Sequence, residues 1–485
     1  MPPGSPCRVL AIGLDAAEPS LVRALAERGD LPTLRTLLDT GRSGSMASPA
    51  DIGSGAVWPT FVSGQTPSVH GIHAFWSWDA RRMGLYPASL DHLTPFWRRA
   101  EPAGRTTGVF DVPFAPRPGA VRGFEIAEWG PHDAILGRMH VVPPALANSV
   151  QAIGGQHPIT GFLDASTSGW ALDGVLDACL AGVAQRARLA EHLLREEAPD
   201  LFLAVFTEIH RASHVLWHTT AASAGQPAVA PAAGTRGLGD LYRAVDRHLG
   251  RLVAAAGERA AILVFSLHGM RETRGVPLLL DPLFRAAGLA TARRPTVLAK
   301  LKRWTPIGIK RLYHRVTPRP VSLQLARPGL TPRYDWSRTR AFPLYTDQHG
   351  WVRVNLVGRE AEGIVPPGLY GQTCAEIERL LYELRTDDGA PVVRRVLRTA
   401  GDDGAGAPAR LPDLVVHWTP AANAGPFRLR MPPIACDLAA TKLTGQHAPD
   451  GFWVLRSPRA GGPASGRVVA AEELGQVILD QLAGS

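Results

Sequence analysis

The 485-residue chain has no apolar run approaching the roughly 20 residues that a helix needs to cross a bilayer. Its apolar runs, such as Leu201–Phe206 and Ala260–Phe265, are six to eight residues long, which excludes an integral membrane protein of the helical kind. Cysteine is also scarce. Cys7, Cys179, Cys374 and Cys436 are widely spaced and form no CxxC pair, so neither a disulfide framework nor a thiolate zinc site is expected, and a reducing cytoplasm is. The first residues, Met1 to Leu14, have no charged start, long apolar region or small-residue cleavage site, so no export signal is expected. Lysine occurs only at Lys300, Lys302, Lys310 and Lys442, and the formal charge of +9 is therefore carried almost wholly by arginine. Such an excess suits an anionic partner. The arginines are dispersed and accompany no recognition module, which argues against nucleic acid. The densest basic run, Lys300 to Arg315, is broken by Pro306 and Gly308 and cannot be one long amphipathic helix at a membrane surface.

What is present is the composition of an ordinary globular protein, 45% hydrophobic and 20% charged. A first apolar segment, Val9 to Leu14, ends in Asp15 and precedes helical patterns around Pro19–Glu27 and Pro32–Thr40, the order of an α/β domain. Leu201–Phe206, Ala261–Phe265, Trp351–Leu356, Leu414–Trp418 and Phe452–Leu455 have the same buried-strand look, and they flank an Arg/Pro-rich stretch, Thr291–Arg340. The expected fold is one α/β domain over residues 1–485, a mostly parallel central sheet flanked by helices. Segments 75–160 and 291–340 are expected to be inserted caps, after which the chain returns to the core sheet. In such sheets ligands bind beyond the carboxyl ends of the strands, which singles out Asp15, the segment Glu208–His214, and His268. No internal repeat is present, and nothing in the sequence sets an oligomeric state.

Ser54 follows Gly53 and precedes a segment able to turn helical. There, backbone N–H groups favour an anion and help activate a hydroxyl, although a serine at that position also serves as an ordinary helix cap. Ser54, Trp58, Ser63-Gly64, Pro67 and His70-Gly71-Ile72 fall in an order and spacing that resembles the nucleophile segment of the type I phosphodiesterase/nucleotide pyrophosphatase branch of the alkaline phosphatase superfamily. Further matches run along the chain. Ile12 to Asp15 resembles the first strand and metal-ligand aspartate, and Phe206 to Trp217 resembles the second-metal segment. Ser266-Leu267-His268-Gly269 stands where the family has Ser-Asp-His-Gly. Asn355–Glu360 with Gly363–Val365 resembles the returning core strand, and Thr444–Gly451 the segment with the last metal histidine.

The resemblance implies one metal near Asp15, Ser54 and His268 and a second near His210, His214 and His447, with Ser54 as covalent nucleophile. His210 and His214 are four residues apart and would face the same way on a helical turn. Three neutral imidazoles form a familiar open zinc site. His73, His218 and His349 are read instead as packed or surface residues. Two departures remove negative charge: histidine at position 210, where the family has a carboxylate, and Leu267, where it has aspartate. The site is therefore expected to hold one or two divalent ions, with zinc favoured over magnesium or calcium. Asp347, Asp133 and Glu208 are candidates to replace a lost ligand. The implied function is phosphoryl or sulfuryl transfer on an anionic small molecule, a phosphate or sulfate ester or a nucleotide. The leading expectation is a phosphodiesterase or nucleotide-pyrophosphatase-like hydrolase. Sulfuryl transfer from a nucleotide sulfate such as 3′-phosphoadenylyl sulfate, or a binding protein that has lost catalysis, are the alternatives.

Overall fold

The computed structural model describes residues 7–50, 52–130, 138–159, 172–220, 236–273, 276–293, 334–345, 349–386, 388–401, 410–423, 443–458, 462 and 464–483. The first half of the chain runs through β1 (Val9–Leu14), α1 (Pro19–Glu27), α2 (Pro32–Thr40), β2 (Arg42–Ala47), α3 (Val57–Ser63), α4 (Pro67–His70), β3 (Trp76–Asp79), β4 (Gly84–Pro87), β5 (Thr107–Phe110), β6 (Gly123–Ala127), β7 (His140–Val142), α5 (Ala147–Gly154), α6 (Leu172–Glu196), β8 (Leu201–Phe206), α7 (Glu208–Leu216) and α8 (Leu238–Ala256). The second half adds β9 (Ala261–Ser266), β10 (Gly269–Glu272), α9 (Leu280–Ala286), β11 (Ala341–Leu344), β12 (Gly350–Val354), a helix Tyr370–Tyr382, β13 (Val393–Arg398), β14 (Leu414–Trp418), β15 (Gly445–Ala448), β16 (Asp450–Arg456), β17 (Val469–Ala470) and a final helix, Ala471–Ala483.

Nine strands form the central sheet in the order β17-β2-β16-β9-β1-β8-β5-β6-β7. Its middle, from β9 to β6, is parallel, whereas β16 pairs antiparallel with β9 and β2, and β7 antiparallel with β6. β1, β8 and β9 are buried at every position, which explains their unbroken apolar sequences: a parallel strand covered on both faces has no polar side to show. Alternate β1 residues serve two cores. Leu10, Ile12 and Leu14 pack with the apolar faces of α1, α2, α6, α7 and α8, and Val9 and Ala11 pack with α3 and the final helix. α1 starts where Pro19 presets φ and the Glu18 side chain accepts from the Ser20 N–H, so its first turn is capped.

Two sequence expectations need correction. Segment 75–160 is not set apart as an insertion. Thr107–Phe110 hydrogen-bonds in parallel to β8, and β6 and β7 extend the sheet from there. The hairpin of β3 and β4 stands outside it. Nor do Trp351–Leu356 and Leu414–Trp418 return to the core sheet. They supply β12 and β14 of a separate antiparallel sheet, ordered β11-β12-β14-β13, and it is β16 and the short β17 that rejoin the main one. The apolar runs were read correctly as strands, but their pairing partners are set by distant segments. Residues 294–333, most of the second expected cap, lie outside the described residues. Among the described residues no helix is long and apolar enough to cross a membrane.

Candidate active site

Three neighbouring strands, β9, β1 and β8, end at the same edge, and each hands its chain to a polar residue there. Asp15 follows β1, and its N–H still bonds the Phe206 carbonyl of β8 at 3.0 Å. Ala16 then takes a left-handed φ of 58°, which turns the chain out of the strand toward α1. Thr207 links β8 to α7, and His210 and His214 lie one turn apart on that helix. β9 leads through Leu267 to His268, whose carbonyl accepts the Ser266 hydroxyl at 2.7 Å.

His447 reaches this edge by strand pairing. β10 leaves His268 and pairs antiparallel with β15 in a register that sets Met270 opposite His447. Two contacts lock β15 against α7: Thr444 N–H donates to the His214 carbonyl at 2.8 Å, and His214 Nδ1 donates to the Gly445 carbonyl at 3.0 Å. Only glycine fits at 445, since a Cβ would sit 2.1 Å from the Ser213 carbonyl oxygen. Glu18 holds β10 from the other side by accepting the Met270 N–H at 3.1 Å. Burial raises the Glu18 carboxyl above its ordinary range, although its hydrogen bonds from Ser20 and Met270 oppose this.

The result is a dense polar cluster. Nε2 of His210 lies 2.7 Å from Nε2 of His447 and 2.9 Å from Nε2 of His214. One nitrogen from each of the three rings lies within 4.8 Å of the others. Asp15, 1% exposed, meets His210 Nδ1 through Oδ2 at 2.9 Å, and through Oδ1 it accepts the Trp58 indole N–H at 2.9 Å and faces His268 Nε2 at 3.5 Å. The His268 ring centroid is 4.8 Å from that of His447. A carbonyl only accepts, so a proton of His214 is assigned to Nδ1, opposite Gly445. The Nε2 atoms of His214 and His210 converge with that of His447. Burial, followed by the neighbouring rings of His210, His268 and His214, pushes the His447 imidazolium well below the ordinary range, so the ring is held neutral. Converging imidazoles, that of His214 fixed through Nδ1 by a carbonyl, are the donor set that a divalent ion requires.

Ser54, partly buried, opens a short 3₁₀ turn, Ser54–Ala56, that runs into α3. Trp58, one turn further on, ties this segment to Asp15. The His70-Gly71-Ile72 motif braces the same helix: His70 Nδ1 accepts the Ile72 N–H at 3.1 Å, and its Nε2 meets the Thr60 hydroxyl at 2.9 Å. Burial, with His73 and His92 nearby, lowers His70 to about 4, which keeps it neutral. The approach to Ser54 is gripped by the second sheet. His349 Nε2 donates to the Ala50 carbonyl at 2.8 Å, and Trp351 Nε1 to the Ile52 carbonyl at 2.7 Å. His349 is therefore a buried structural residue, while His218 is exposed.

Glu208 does not act as a substitute ligand. It is fully buried in an ion pair with Arg186, 2.8 Å to Nε, and accepts from His157 Nε2 at 3.0 Å. Asp133 and Asp347 lie outside the described residues. Sequence reasoning missed Glu18 and Arg186. The first had a local signal, an acid immediately before a proline that starts a helix, and the second had none.

The type I phosphodiesterase/nucleotide pyrophosphatase family matches residues 9–415 of the chain. The chain belongs to this family of phosphoryl-transfer hydrolases, which are typically dependent on divalent metal. No curated protein matches it. Among solved structures, phosphonoacetate hydrolase from Sinorhizobium meliloti 1021, in complex with phosphonoacetate, aligns with a TM-score of 0.52 at 14% identity, covering 99% of this chain and 96% of its own. Human ectonucleotide pyrophosphatase/phosphodiesterase 5 aligns with a TM-score of 0.50 at 11% identity, covering 99% and 95%. At these identities the likeness is one of fold. The family match supports hydrolysis and lends nothing to sulfuryl transfer.

Proposed function

We propose that the protein is a metal-dependent hydrolase of phosphodiester or nucleotide-like anions that works through a covalent Ser54 intermediate. The observation that carries this reading is the convergence of Nε2 from His210, His214 and His447 beside Asp15, with Trp58 tying the Ser54 segment to that same carboxylate. A divalent ion held by the three imidazoles, with zinc favoured, would supply positive charge that lowers the pKa of the attacking hydroxyl and offsets charge on the phosphoryl oxygens. Ser54 then attacks phosphorus in line, a P–O bond to the leaving group breaks, and water later cleaves the Ser54 adduct. His70 and Trp351 keep the segments on either side of Ser54 in place, and Asp15 and His268 form the wall of the site nearest Trp58. The arrangement of Asp15, Ser54 and His268 around an ion of their own lacks the carboxylate that Leu267 has replaced. An anionic small molecule suits a basic chain and a cluster with one carboxylate, and phosphonoacetate, the ligand of the S. meliloti hydrolase, is of that kind. A reducing cytoplasmic setting is part of the proposal; Cys7, Cys179 and Cys374 are buried thiols.

The test is Ser54→Ala with bis(p-nitrophenyl) phosphate as substrate. Loss of turnover by at least about a thousandfold is expected of a nucleophile. Intact-mass measurement should find a phosphoryl adduct on the wild type and none on the variant. Unchanged turnover with zinc still bound would refute the covalent mechanism.

A further inference from the structure

α7 carries two of the three histidines, and its start does not cap itself. Thr207 stands just before the first turn, where a hydroxyl commonly accepts a helix N–H, but its side chain makes no such bond. The hydroxyl accepts instead from Nη2 of Arg186, on α6, at 3.0 Å, and the next residue, Glu208, accepts from Arg186 Nε at 2.8 Å. The third arm of the guanidinium, Nη1, donates to Asp111 at 2.7 Å. Asp111 follows β5 with a left-handed φ of 59°, and its two oxygens also accept the N–H groups of Trp129 and Gly130, just beyond β6, at 2.8 Å each. Glu208 takes a second donor from the loop after α5: a carboxylate only accepts, so His157 Nε2 donates to Oε1 at 3.0 Å. One buried guanidinium thus joins the chain beyond β5 and β6 to the end of β8 and the first turn of α7. Gly130 leaves it room, since a Cβ there would sit 1.9 Å from Nη2.

For stability alone this is a costly arrangement, because burying a guanidinium and two carboxylates carries a desolvation penalty that well-packed apolar side chains avoid. What it supplies is direction. Apolar contacts let a helix slide or turn slightly, whereas a planar guanidinium bonded through three nitrogens holds its acceptors at fixed angles. Metal sites are sensitive on that scale, since ligand distances hold to within about 0.2 Å. We propose that Arg186 is a positioning residue of the histidine site: by tying Thr207 and Glu208 to Asp111 it sets the first turn of α7, and thereby where His210 and His214 meet His447.

The proposal rests on the three-histidine reading, and zinc affinity tests it separately from stability. Full-length wild type, Thr207→Val and the triple variant Arg186→Met, Asp111→Asn, Glu208→Gln are titrated with zinc chloride in competition with a chromogenic chelator, and each is unfolded in urea. The triple variant puts neutral groups of similar size in place of the charges, so its urea midpoint should stay near that of the wild type. Its zinc affinity should nevertheless fall about 10- to 100-fold, as is typical when the support behind a metal ligand is removed. Thr207→Val deletes one acceptor and leaves both ion pairs, and a loss of roughly threefold is expected from one hydrogen bond of ordinary strength. Arg353→Met is the control: it breaks a buried pair with Glu360 in the second sheet and should lower the urea midpoint with zinc affinity unchanged. Wild-type zinc affinity in the folded triple variant would overturn the proposal, and so would an equal loss in Arg353→Met, which would trace the effect to general instability. Should the triple variant fail to fold, unchanged affinity in Thr207→Val overturns it. A wild type that binds no zinc would refute the three-histidine reading, and this proposal with it.

Discussion

Replacing Arg186 with methionine should be among the most damaging single changes in the molecule away from the histidine cluster. The guanidinium is 0% exposed. It donates from Nη1 to Asp111 at 2.7 Å, from Nε to Glu208 at 2.8 Å and from Nη2 to the Thr207 hydroxyl at 3.0 Å. Its face lies 5.1 Å from the Trp129 ring centroid and 5.5 Å from that of Phe110. Methionine fills much of the volume but leaves two buried carboxylates without a cation. Breaking a buried pair in this way costs roughly 3–5 kcal/mol, and since two acids lose their partner here, the upper end of that range is expected. The pH dependence gives the test its sign. Burial alone would raise the Glu208 carboxyl, but Arg186 and His157 outweigh it and hold Glu208 at about 2, below its ordinary 4.5. In the wild type this stabilisation is complete above the unfolded value and is lost as pH falls from there toward about 2. Without Arg186 burial acts unopposed by that cation, the folded-state pKa of Glu208 rises, and the variant relieves itself by taking up a proton. The stability deficit, measured by urea unfolding followed through tryptophan fluorescence, should therefore be largest at neutral pH and shrink by pH 5. The triple variant Arg186→Met, Asp111→Asn, Glu208→Gln removes all the charges and should recover most of the loss. A deficit under about 1 kcal/mol, or one that grows on acidification, would refute the reasoning.

Leu267→Asp restores a carboxylate beside His268 and should raise zinc stoichiometry toward two, with the metal-free form destabilised and its melting temperature restored as zinc is added; a variant that binds no extra ion would mean that position 267 does not face Asp15. Gly53→Ala adds a Cβ 2.3 Å from the His73 carbonyl oxygen and 2.8 Å from Cζ2 of Trp351. It should cost about 1–3 kcal/mol of stability by overpacking and slow turnover by displacing Ser54, and wild-type stability in thermal unfolding would show that the segment has room to move.

Much of the site was legible in the sequence because it is built from local relations. An apolar run ending in Asp15, another leading to His210 and His214 at helical spacing, and a third ending at His268 are features of periodicity and strand length, and these belong to single segments. The same reading identified Leu414–Trp418 as a strand and put the start of α1 at Pro19. Pattern states which face of an element is apolar, however, and not what covers it. Whether β12 and β14 joined the main sheet or formed their own, and whether β5 to β7 capped the sheet or extended it, depended on hydrogen-bond partners far along the chain. The role of each charged group was decided in the same way. Glu208 was a plausible ligand by position, yet α6 brings Arg186 to it and Asp111 joins the pair, so its charge is spent inside the core. His447 has no helical spacing to any other histidine of the cluster; it meets them because β15 pairs with β10 in one register and packs its Thr444 and Gly445 on α7. Asp15, recognisable from its place after β1, meets its neighbours only when α7 and α3 bring His210 and Trp58 to it, since a buried carboxylate takes its function from whichever groups the fold leaves beside it.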